Sequence, residues 1–431
     1  MDSTTIAILI LAISFIIMLV LRFPVALSLA GSTILTLMYL QVPLAVVGQR
    51  MIQGINSYAL LTIPFFILAG QIMGEGGLAL RLVNFALLIV GRIRGGLAMV
   101  NCVACLFFGN ISGSAAADVS SIGSIMIPMM KKKGYSSEFA VGLTTSAAIQ
   151  GVVVPPSHNL ILYSLAAGGT SIAALFLAGV VPGIILCISL MVAAYFMAIK
   201  KGFTQKHVVE RKDVPRVLFD GILSIMPAFI ILGGIFSGWF TASESGAIAC
   251  LYAFIVTFFV YREIPLSRMW DILKRTLRTV SMVLFLIAAS NAFGWVLAFL
   301  KIPALVTDAL LQISHNPIVI LLIINVLLLI LGSPMDMAPL ILIMTPILLP
   351  VVTALGMDPV HFGIIMMLNL GIGLLTPPVG TVLFIGCAIG KLSIGQGARA
   401  MAPFALVLVA VLMLLTYIPS LSMWLPNLMK H

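Results

Sequence analysis

Two kinds of segment in this sequence could do chemistry, and each kind occurs twice. One is a Gly/Ser-rich stretch inside an apolar run, at 109–114 and again at 332–336. The other is a pair of adjacent prolines inside an apolar run, within 154–157 and 376–380. Adjacent prolines break a helix, because proline lacks the backbone donor and clashes with the preceding turn. The freed carbonyl oxygens suit Na⁺, and helix N-termini at the same break favour an anionic group.

We call the Gly/Ser-rich stretches tips and the double prolines breaks. If a tip and a break meet near mid-membrane, each half of the chain holds one ion site. The candidate ion- and substrate-binding residues are Asn110, Ser112, Gly113, Ser114, Pro155, Pro156 and Ser157 in the first half, and Gly332, Ser333, Asp336, Thr376, Pro377, Pro378, Val379 and Gly380 in the second. Sodium ligands are expected among the backbone carbonyls near Ser112, Pro156, Gly332 and Pro378.

The competing interpretation is a proline kink packed by neighbouring helices, with Gly and Ser serving close helix contacts. If only one motif were present, this packing interpretation would be favoured. The recurrence of a tip and a break together, in both halves, favours ion sites instead.

Four further residues have both a functional and a structural interpretation. Asp118 and Asp336 are acidic groups in apolar surroundings, which indicates a functional site, although Asp118 could pair locally. Glu244 is interpreted as a helix cap, and His158 as a packing residue. No Walker A motif or dinucleotide fingerprint occurs in the sequence, so ATP hydrolysis and nucleotide cofactors are not expected.

The composition is that of a membrane protein. Of 431 residues, 61% are hydrophobic and 8% are charged, against roughly 25% charged in soluble domains. The apolar runs are continuous rather than alternating, which favours helices over a barrel. The sequence therefore predicts an all-α, polytopic integral membrane protein with roughly ten to a dozen membrane segments. The net charge of +10 is spread between the apolar runs, so no nucleic-acid partner is expected.

The chain repeats itself at an offset of 222 positions. Residues 110–182 then fall on 332–404, with six matched Gly or Pro residues. The matches pair Pro128 with Pro350, Gly134 with Gly356, Gly151 with Gly373, Pro155 and Pro156 with Pro377 and Pro378, and Gly168 with Gly390. Because Gly and Pro shape the backbone, the offset predicts two halves with the same plan.

Charge indicates that the two halves have opposite orientations. Where one half is basic, the aligned segment of the other is neutral: Lys131, Lys132 and Lys133 fall opposite Thr353, Ala354 and Leu355. Basic residues favour the cytoplasmic side. With both termini outside, all of the 23 Lys and Arg residues except Arg50, Lys301 and Lys430 lie inside. This pattern predicts an inverted repeat, as in many secondary transporters.

The resulting plan has two repeats joined by a cytoplasmic linker. The first repeat is 1–199, the linker 200–218 and the second repeat 219–431. An inward-opening re-entrant hairpin is expected at 96–130 and a broken helix at 138–168. In the second repeat, an outward-opening hairpin is expected at 317–355 and a broken helix at 358–390.

At these residues the chain resembles the large membrane subunit (the DctM-like M subunit) of tripartite ATP-independent periplasmic (TRAP) transporters. The resemblance rests on residues 95–98, 111–116, 127–129, 133–135, 155–157, 176–179, 182–183 and 376–380, and on Phe240 and Thr241 with Glu244. It covers essentially the whole chain. Two departures are Ala242, where proline is usual, and His158, where an aliphatic residue is common.

The resemblance implies Na⁺-coupled uptake of a small organic acid, of the dicarboxylate, sialate or sugar-acid type, across a bacterial inner membrane. It implies two partners, a small TRAP membrane subunit and a periplasmic substrate-binding protein. It also implies an elevator-type fold whose mobile domain carries both hairpins. No covalent cofactor is expected, and Na⁺ would be the coupling ion.

Three rival functions stay open at this level. A stand-alone Na⁺-coupled carboxylate transporter or exchanger is the nearest. An intramembrane hydrolase would need Ser112 and His158 as nucleophile and base, and a passive channel would conduct without an ion gradient. The sequence does not select one organic acid.

Overall fold

The computed structural model describes residues 2–203 and 210–428. Within these ranges every regular element is helical, which confirms the predicted all-α membrane fold. Part of the predicted linker, including Lys206, lies outside the described residues, as does Lys430.

The first half contains twelve α-helices. They are α1 (Ser3–Val20), α2 (Val25–Tyr39), α3 (Ala45–Ile55), α4 (Thr62–Glu75), α5 (Leu78–Val90), α6 (Gly96–Ser112), α7 (Ala115–Asp118), α8 (Ser124–Lys132), α9 (Ser137–Ala148), α10 (Gln150–Val153), α11 (His158–Ala166) and α12 (Ile172–Lys200). A π-helical segment, Val119–Gly123, joins α7 to α8.

The second half repeats this order. Its helices are α13 (Val214–Phe236), α14 (Ala242–Ile255), α15 (Met269–Phe299), α16 (Ile302–Ile313), α17 (Pro317–Gly332), α18 (Met337–Ala354), α19 (Pro359–Gly373), α20 (Thr381–Gly390), α21 (Ile394–Tyr417) and α22 (Ser420–Leu428). The starts of α9 and α19, and of α12 and α21, are each 222 positions apart. One difference is that α3 and α4 correspond to the single continuous helix α15.

Eight of the described helices are long and apolar enough to cross a membrane, or nine if α9 to α11, bent by 49°, form one span. The sequence predicts roughly ten to a dozen membrane segments. The smaller number arises because several membrane-depth helices, including α6 and α17, are shorter than a full crossing. Short paired helices of this kind are consistent with the hairpins expected at 96–130 and 317–355.

The helix starts are determined by local capping. Ser171 Oγ accepts from the Ala174 N–H at the start of α12, and Ser393 Oγ, 222 positions later, accepts from the Gln396 N–H at the start of α21. Both are ordinary N-caps. Glu244 forms a capping box with Thr241, whose N–H lies 2.8 Å from Glu244 Oε2. This confirms the interpretation of Glu244 as a helix cap.

The two halves pack against each other in a reciprocal way. The broken helix of the first half packs through α9 on α21, and that of the second half packs through α19 on α12. The broken helices themselves cross at Gly371, where a Cβ would lie 2.9 Å from Ile149 Cγ2. Elsewhere α2 packs on α15, and α14 packs on α4. The centre of the protein is therefore built from both halves.

Two ion pairs also join the halves at the predicted cytoplasmic surface. Arg81 of α5 pairs with Glu263 at 2.6 Å and lies over the Tyr261 ring, 3.6 Å from its centroid. Glu75 at the end of α4 pairs with Arg275 of α15. These pairs tie the end of α4 and the start of α5 to the second half.

We expect single cysteines at two exposed sites to report the predicted topology. Lys212→Cys lies on the predicted cytoplasmic side, and Trp239→Cys on the predicted outer side. All five native cysteines are buried, so they should give a low background. A membrane-impermeant maleimide applied to intact cells should label position 239 and should label position 212 only after permeabilisation. Strong labelling of position 212 in intact cells would contradict the orientation.

Candidate ion and substrate site

The first tip is a sharp turn between α6 and α7. Gly113 has φ +59°, a left-handed conformation that glycine adopts without strain. A Cβ there would also lie 3.1 Å from the His158 backbone N, so the tip contacts the start of α11 closely. Ser114 then caps α7 through the Ala117 N–H. The glycine therefore allows both the turn and the contact with the first break.

Asp118 lies at the end of α7 and is fully buried. Ser112 Oγ donates to Asp118 Oδ1, whereas Oδ2 has no hydrogen-bond partner. None of the described salt bridges includes Asp118. The local pairing considered from the sequence is therefore with a hydroxyl and not with a basic group, which leaves a buried carboxyl oxygen unpaired.

Two more buried oxygens in this region also lack partners. They are Asn110 Oδ1, on the last turn of α6, and Ser157 Oγ, in the first break. Buried polar atoms are normally hydrogen-bonded, so oxygens of this kind mark a place where a further partner, such as a water or a cation, would fit. Hard cations take oxygen ligands. Among the described residues, no group of three His, Cys, Asp or Glu could hold a metal ion.

The first break interrupts the chain between α10 and α11. The Val154 N–H still bonds to Gln150 O, at 2.9 Å, but residues 155–157 leave the helix. Pro155 and Pro156 are buried, and the peptide bond between them is cis. Asn159 Nδ2 donates to Gly113 O, at 3.3 Å, and so links this break to the first tip.

The second tip and break are joined more directly. Ser333 Oγ donates to Pro377 O and lies 3.3 Å from Thr376 O. A hydroxyl oxygen and two backbone carbonyls therefore converge on one point. Gly380, with φ +45°, returns the chain into α20.

Other candidate residues of the second half are placed differently from those in the first. Pro377, Pro378 and Val379 are exposed, and Asp336 is exposed at the start of α18 without a side-chain capping bond. The described contacts bring Ser333 to the break, and they do not bring Asp336 there.

In both halves a pair of glycines lets the hairpin approach the broken helix. A Cβ at Gly109 would lie 2.5 Å from Gly151 Cα, and a Cβ at Gly373 would lie 2.6 Å from Gly332 Cα. Real Cβ atoms essentially never come this close. The matched glycines of the repeat thus mark where tip and break are packed together.

The helices that follow the two motifs are packed together. Helix α20, which follows the second break, packs on α7, which follows the first tip, and on Val119–Gly123 of the first hairpin.

A cavity of about 380 Å³ opens beside the first tip. Ser112 and Ser114 line one side together with His158. The opposite wall is formed by residues of α4 and α15, among them Gly70, Gln71, Gly74, Glu75, Thr279 and Val283. The Glu75–Arg275 ion pair lies at this wall. We call this space the first cavity.

The sequence gives little local signal for Gln71, Glu75 and Thr279 of this wall. On the other side of the cavity, His158, for which the sequence favours a packing role, lines the first cavity. The closely spaced glycines Gly70 and Gly74 on α4 were the available signal, since small residues leave room beside a helix. The wall itself depends on α4 meeting α15, which no local pattern indicates.

The arrangement does not support hydrolysis. Ser112 Oγ donates its hydrogen to Asp118, and no described hydrogen bond joins it to His158. A nucleophile needs its base within hydrogen-bond reach.

Residues 12–421 match the family described as "Tripartite ATP-independent periplasmic transporter, DctM component". The chain belongs to this family. Membership confirms the resemblance seen in the sequence and shows that this multi-pass membrane protein is a transporter component rather than an enzyme.

Two relatives from this family are similar to the chain over most of their length. The chain is 41% identical over 381 residues to the sialic acid TRAP transporter large permease protein SiaM of Vibrio cholerae, covering 88% of this chain and 89% of the relative. It is 39% identical to the C4-dicarboxylate TRAP transporter large permease protein DctM of Pseudomonas aeruginosa, covering 88% of each.

The fold is also found in a solved transporter. The YdaH transporter of Alcanivorax borkumensis superposes with a TM-score of 0.61 at 13% identity, covering 88% of this chain and 87% of that one. At this identity the likeness concerns the fold alone.

We expect Gly373→Ala to destabilise the protein, because the added methyl meets backbone atoms of Gly332 that cannot move aside cheaply. Overpacking of this kind costs about 1–3 kcal/mol. Gly233→Ala in α13 is the matched control, since nothing lies within 4 Å of its Cβ position, and the change should favour the helix by roughly 0.5–1 kcal/mol. Thermal unfolding of both variants in detergent measures the difference. Equal midpoints would contradict the close approach of tip and break.

Proposed function

We propose that the chain is the large permease subunit of a Na⁺-coupled, binding-protein-dependent TRAP transporter that imports a small organic acid across the bacterial inner membrane. Its partners in this proposal are a small TRAP membrane subunit and a periplasmic substrate-binding protein. The observation that carries the proposal is the set of buried, unpaired oxygens at the first tip and break, which a bound cation would satisfy.

In the first half, Asp118 is the residue best suited to hold Na⁺. Its Oδ2 is buried and unpaired, and a buried unpaired charge is strongly unfavourable unless a counter-charge is present. Asn110 Oδ1 and Ser157 Oγ are neutral oxygens of the same tip and break. A cation held among them would replace the missing partners.

In the second half, Na⁺ would be held without a carboxylate. Ser333 Oγ and the carbonyls of Thr376 and Pro377 already converge. In the structure, the Ser333 hydroxyl donates its hydrogen to Pro377 O. With Na⁺ bound, the hydroxyl would turn its hydrogen away and present its lone pairs, as all three oxygens can act as ligands.

The position of Asp118 supports coupling between Na⁺ and an anionic substrate. Ser112, Ser114 and Ala117, which line the first cavity, lie close to Asp118 in the chain, so a carboxylate in this cavity would meet the negative field of Asp118. At membrane depth such repulsion is weakly screened. Na⁺ at the first tip would cancel it, and Ser114 and His158 would then offer hydrogen-bond donors to the substrate. Substrate binding would therefore require the ion.

The substrate class in this proposal is a small organic acid. Relatives named for sialic acid and for C4-dicarboxylates carry acidic substrates in common. The first cavity, of about 380 Å³, has room for molecules of this size. Which acid is bound would depend on the binding protein that delivers it.

We expect uptake to depend on Na⁺ and on the binding protein, and not on ATP. The full chain would be reconstituted with its small membrane subunit, and uptake of labelled succinate or sialic acid would be measured with the cognate binding protein present. Replacing Na⁺ by K⁺ on both sides should reduce uptake to the level of protein-free liposomes. Undiminished uptake in K⁺ would refute the coupling, and equal uptake without the binding protein would favour a stand-alone carboxylate transporter.

We expect Asp118→Asn to weaken Na⁺ binding while leaving the bond from Ser112 intact, because the amide oxygen still accepts. Unit charges about 4 Å apart attract by roughly 4 kcal/mol at an effective dielectric constant of 20, so the apparent Na⁺ affinity should fall more than about tenfold. Asp308→Asn, at an exposed carboxylate on α16, is the control for loss of one negative charge. The Na⁺ dependence of uptake measures both variants. An unchanged Na⁺ half-saturation in Asp118→Asn would exclude Asp118 as a ligand.

A further inference from the structure

A second cavity lies at the other end of the two helices that border the first. It measures about 430 Å³. Helix α15 lines the first cavity with Thr279 and Val283 and the second with Ile287 and Ser290, about one and two turns beyond Val283. Helix α11 likewise begins beside the first cavity and ends beside the second, about 12 Å away at 1.5 Å per residue. The two cavities thus share two walls.

The second cavity contains a basic residue on the side of the membrane where the chain has very few. Arg50, on α3, lines it, and it is one of three Lys or Arg residues that the charge pattern places outside. Basic residues in short outer loops oppose the orientation preference of membrane proteins. The orientation preference therefore does not explain why Arg50 lies at this place.

Arg50 is held in position and has no acidic partner among the described residues. Its guanidinium lies over the Trp295 ring, 5.0 Å from the centroid, and it donates to Gln53 Oε1 at 3.2 Å. No described salt bridge includes it. Guanidinium presents five donors in a planar fork that matches a carboxylate. Most of this fork remains available after the bond to Gln53.

A second, independent observation points into the same cavity. Ser290 lines it, is 4% exposed, and its Oγ has no hydrogen-bond partner. Asn291, one residue further along α15, also lines the cavity and brings an amide. Gly54 allows α3 to approach Asn291 closely, since a Cβ there would lie 2.5 Å from Asn291 Cβ. The cavity therefore combines one positive charge with neutral hydrogen-bonding groups.

We propose that the second cavity is a carboxylate-binding site, separate from the ion-coupled site at the first tip, in which Arg50 holds the organic acid on the outer side of the membrane. The carboxylate class rests on the proposed function. Arg50 binds the carboxylate, Trp295 positions the guanidinium, and the Ser290 hydroxyl completes the hydrogen bonds. Because the charge is supplied by arginine, binding here does not require Na⁺.

Direct binding tests this assignment through Trp295. The full chain would carry Trp239→Phe, Trp270→Phe and Trp424→Phe, three exposed positions, so that Trp295 is the remaining tryptophan. It would be placed in nanodiscs of zwitterionic lipid, where no anionic headgroup competes. Succinate titrated in Na⁺-free choline buffer should give a saturable change in Trp295 fluorescence.

Variants locate the binding site. Arg50→Gln should weaken succinate binding about tenfold or more, because it removes a charge-assisted hydrogen-bonded pair. Arg50→Lys, which keeps the charge and loses the fork, should weaken it less. Lys301→Asn is the matched control: it removes another outer charge, outside this cavity, and asparagine tolerates the left-handed conformation at φ +55°. Lys301→Asn should bind succinate as the parent does.

Several results would overturn the proposal. They are the absence of a saturable change, an unchanged affinity in Arg50→Gln, or an equal response to chloride at the same concentration. Failure of this proposal can be distinguished from failure of the proposed Na⁺ coupling. Asp118→Asn should retain the Na⁺-free Trp295 response if the second cavity binds carboxylate, whatever its effect on Na⁺-dependent uptake. Loss of the response in Asp118→Asn would mean that the acid binds at the first tip instead.

Discussion

The structure depends on one constraint: a backbone or side-chain polar atom at membrane depth needs a partner, because lipid supplies none. The chain interrupts two membrane helices, at 154–157 and at 376–380, and so frees polar groups where they are most costly. Each interruption is met by a tip from a neighbouring hairpin. Asn159 reaches Gly113 in the first half, and Ser333 reaches Pro377 in the second. The glycine contacts, the hairpins and the crossing of the broken helices all serve to bring tip and break together.

In the first half some polar atoms remain without partners, and the proposed binding of Na⁺ rests on these atoms. Asp118 Oδ2, Asn110 Oδ1 and Ser157 Oγ stay unpaired in a buried region. In the proposed mechanism, a buried carboxylate without a counter-charge is unfavourable, and a bound cation would relieve this cost. The same negative charge would repel an anionic substrate unless the cation is bound. The same carboxylate therefore explains both an affinity for Na⁺ and a dependence of substrate binding on Na⁺ in the proposed mechanism.

The two halves have diverged around a shared backbone plan. At the 222-residue offset, Asp118 corresponds to Leu340, and Ser114 corresponds to Asp336. His158 corresponds to Gly380, and the first break is buried whereas Pro377 and Pro378 are exposed. The backbone repeat thus provides two candidate sites, and their side chains carry different charges. Among the described residues, Asp118 of the first half is fully buried near the first cavity, whereas Asp336 of the second half is exposed.

The sequence by itself determined the membrane class, the all-helical fold, the 222-residue repeat, the position of both tips and breaks, and the family. These follow from local properties, since hydropathy, proline and glycine act within a few residues of where they stand. It also named Ser112, Ser157, Ser333 and Thr376 as candidates, and their role in binding stays a prediction. Only the tertiary structure decided which atoms meet. Ser333 and Pro377 are 44 residues apart, Glu75 pairs with Arg275 across the two halves, and the first cavity needs α4 to face α15. Such contacts depend on how helices of both halves pack, and packing is a property of the whole chain that no short segment contains.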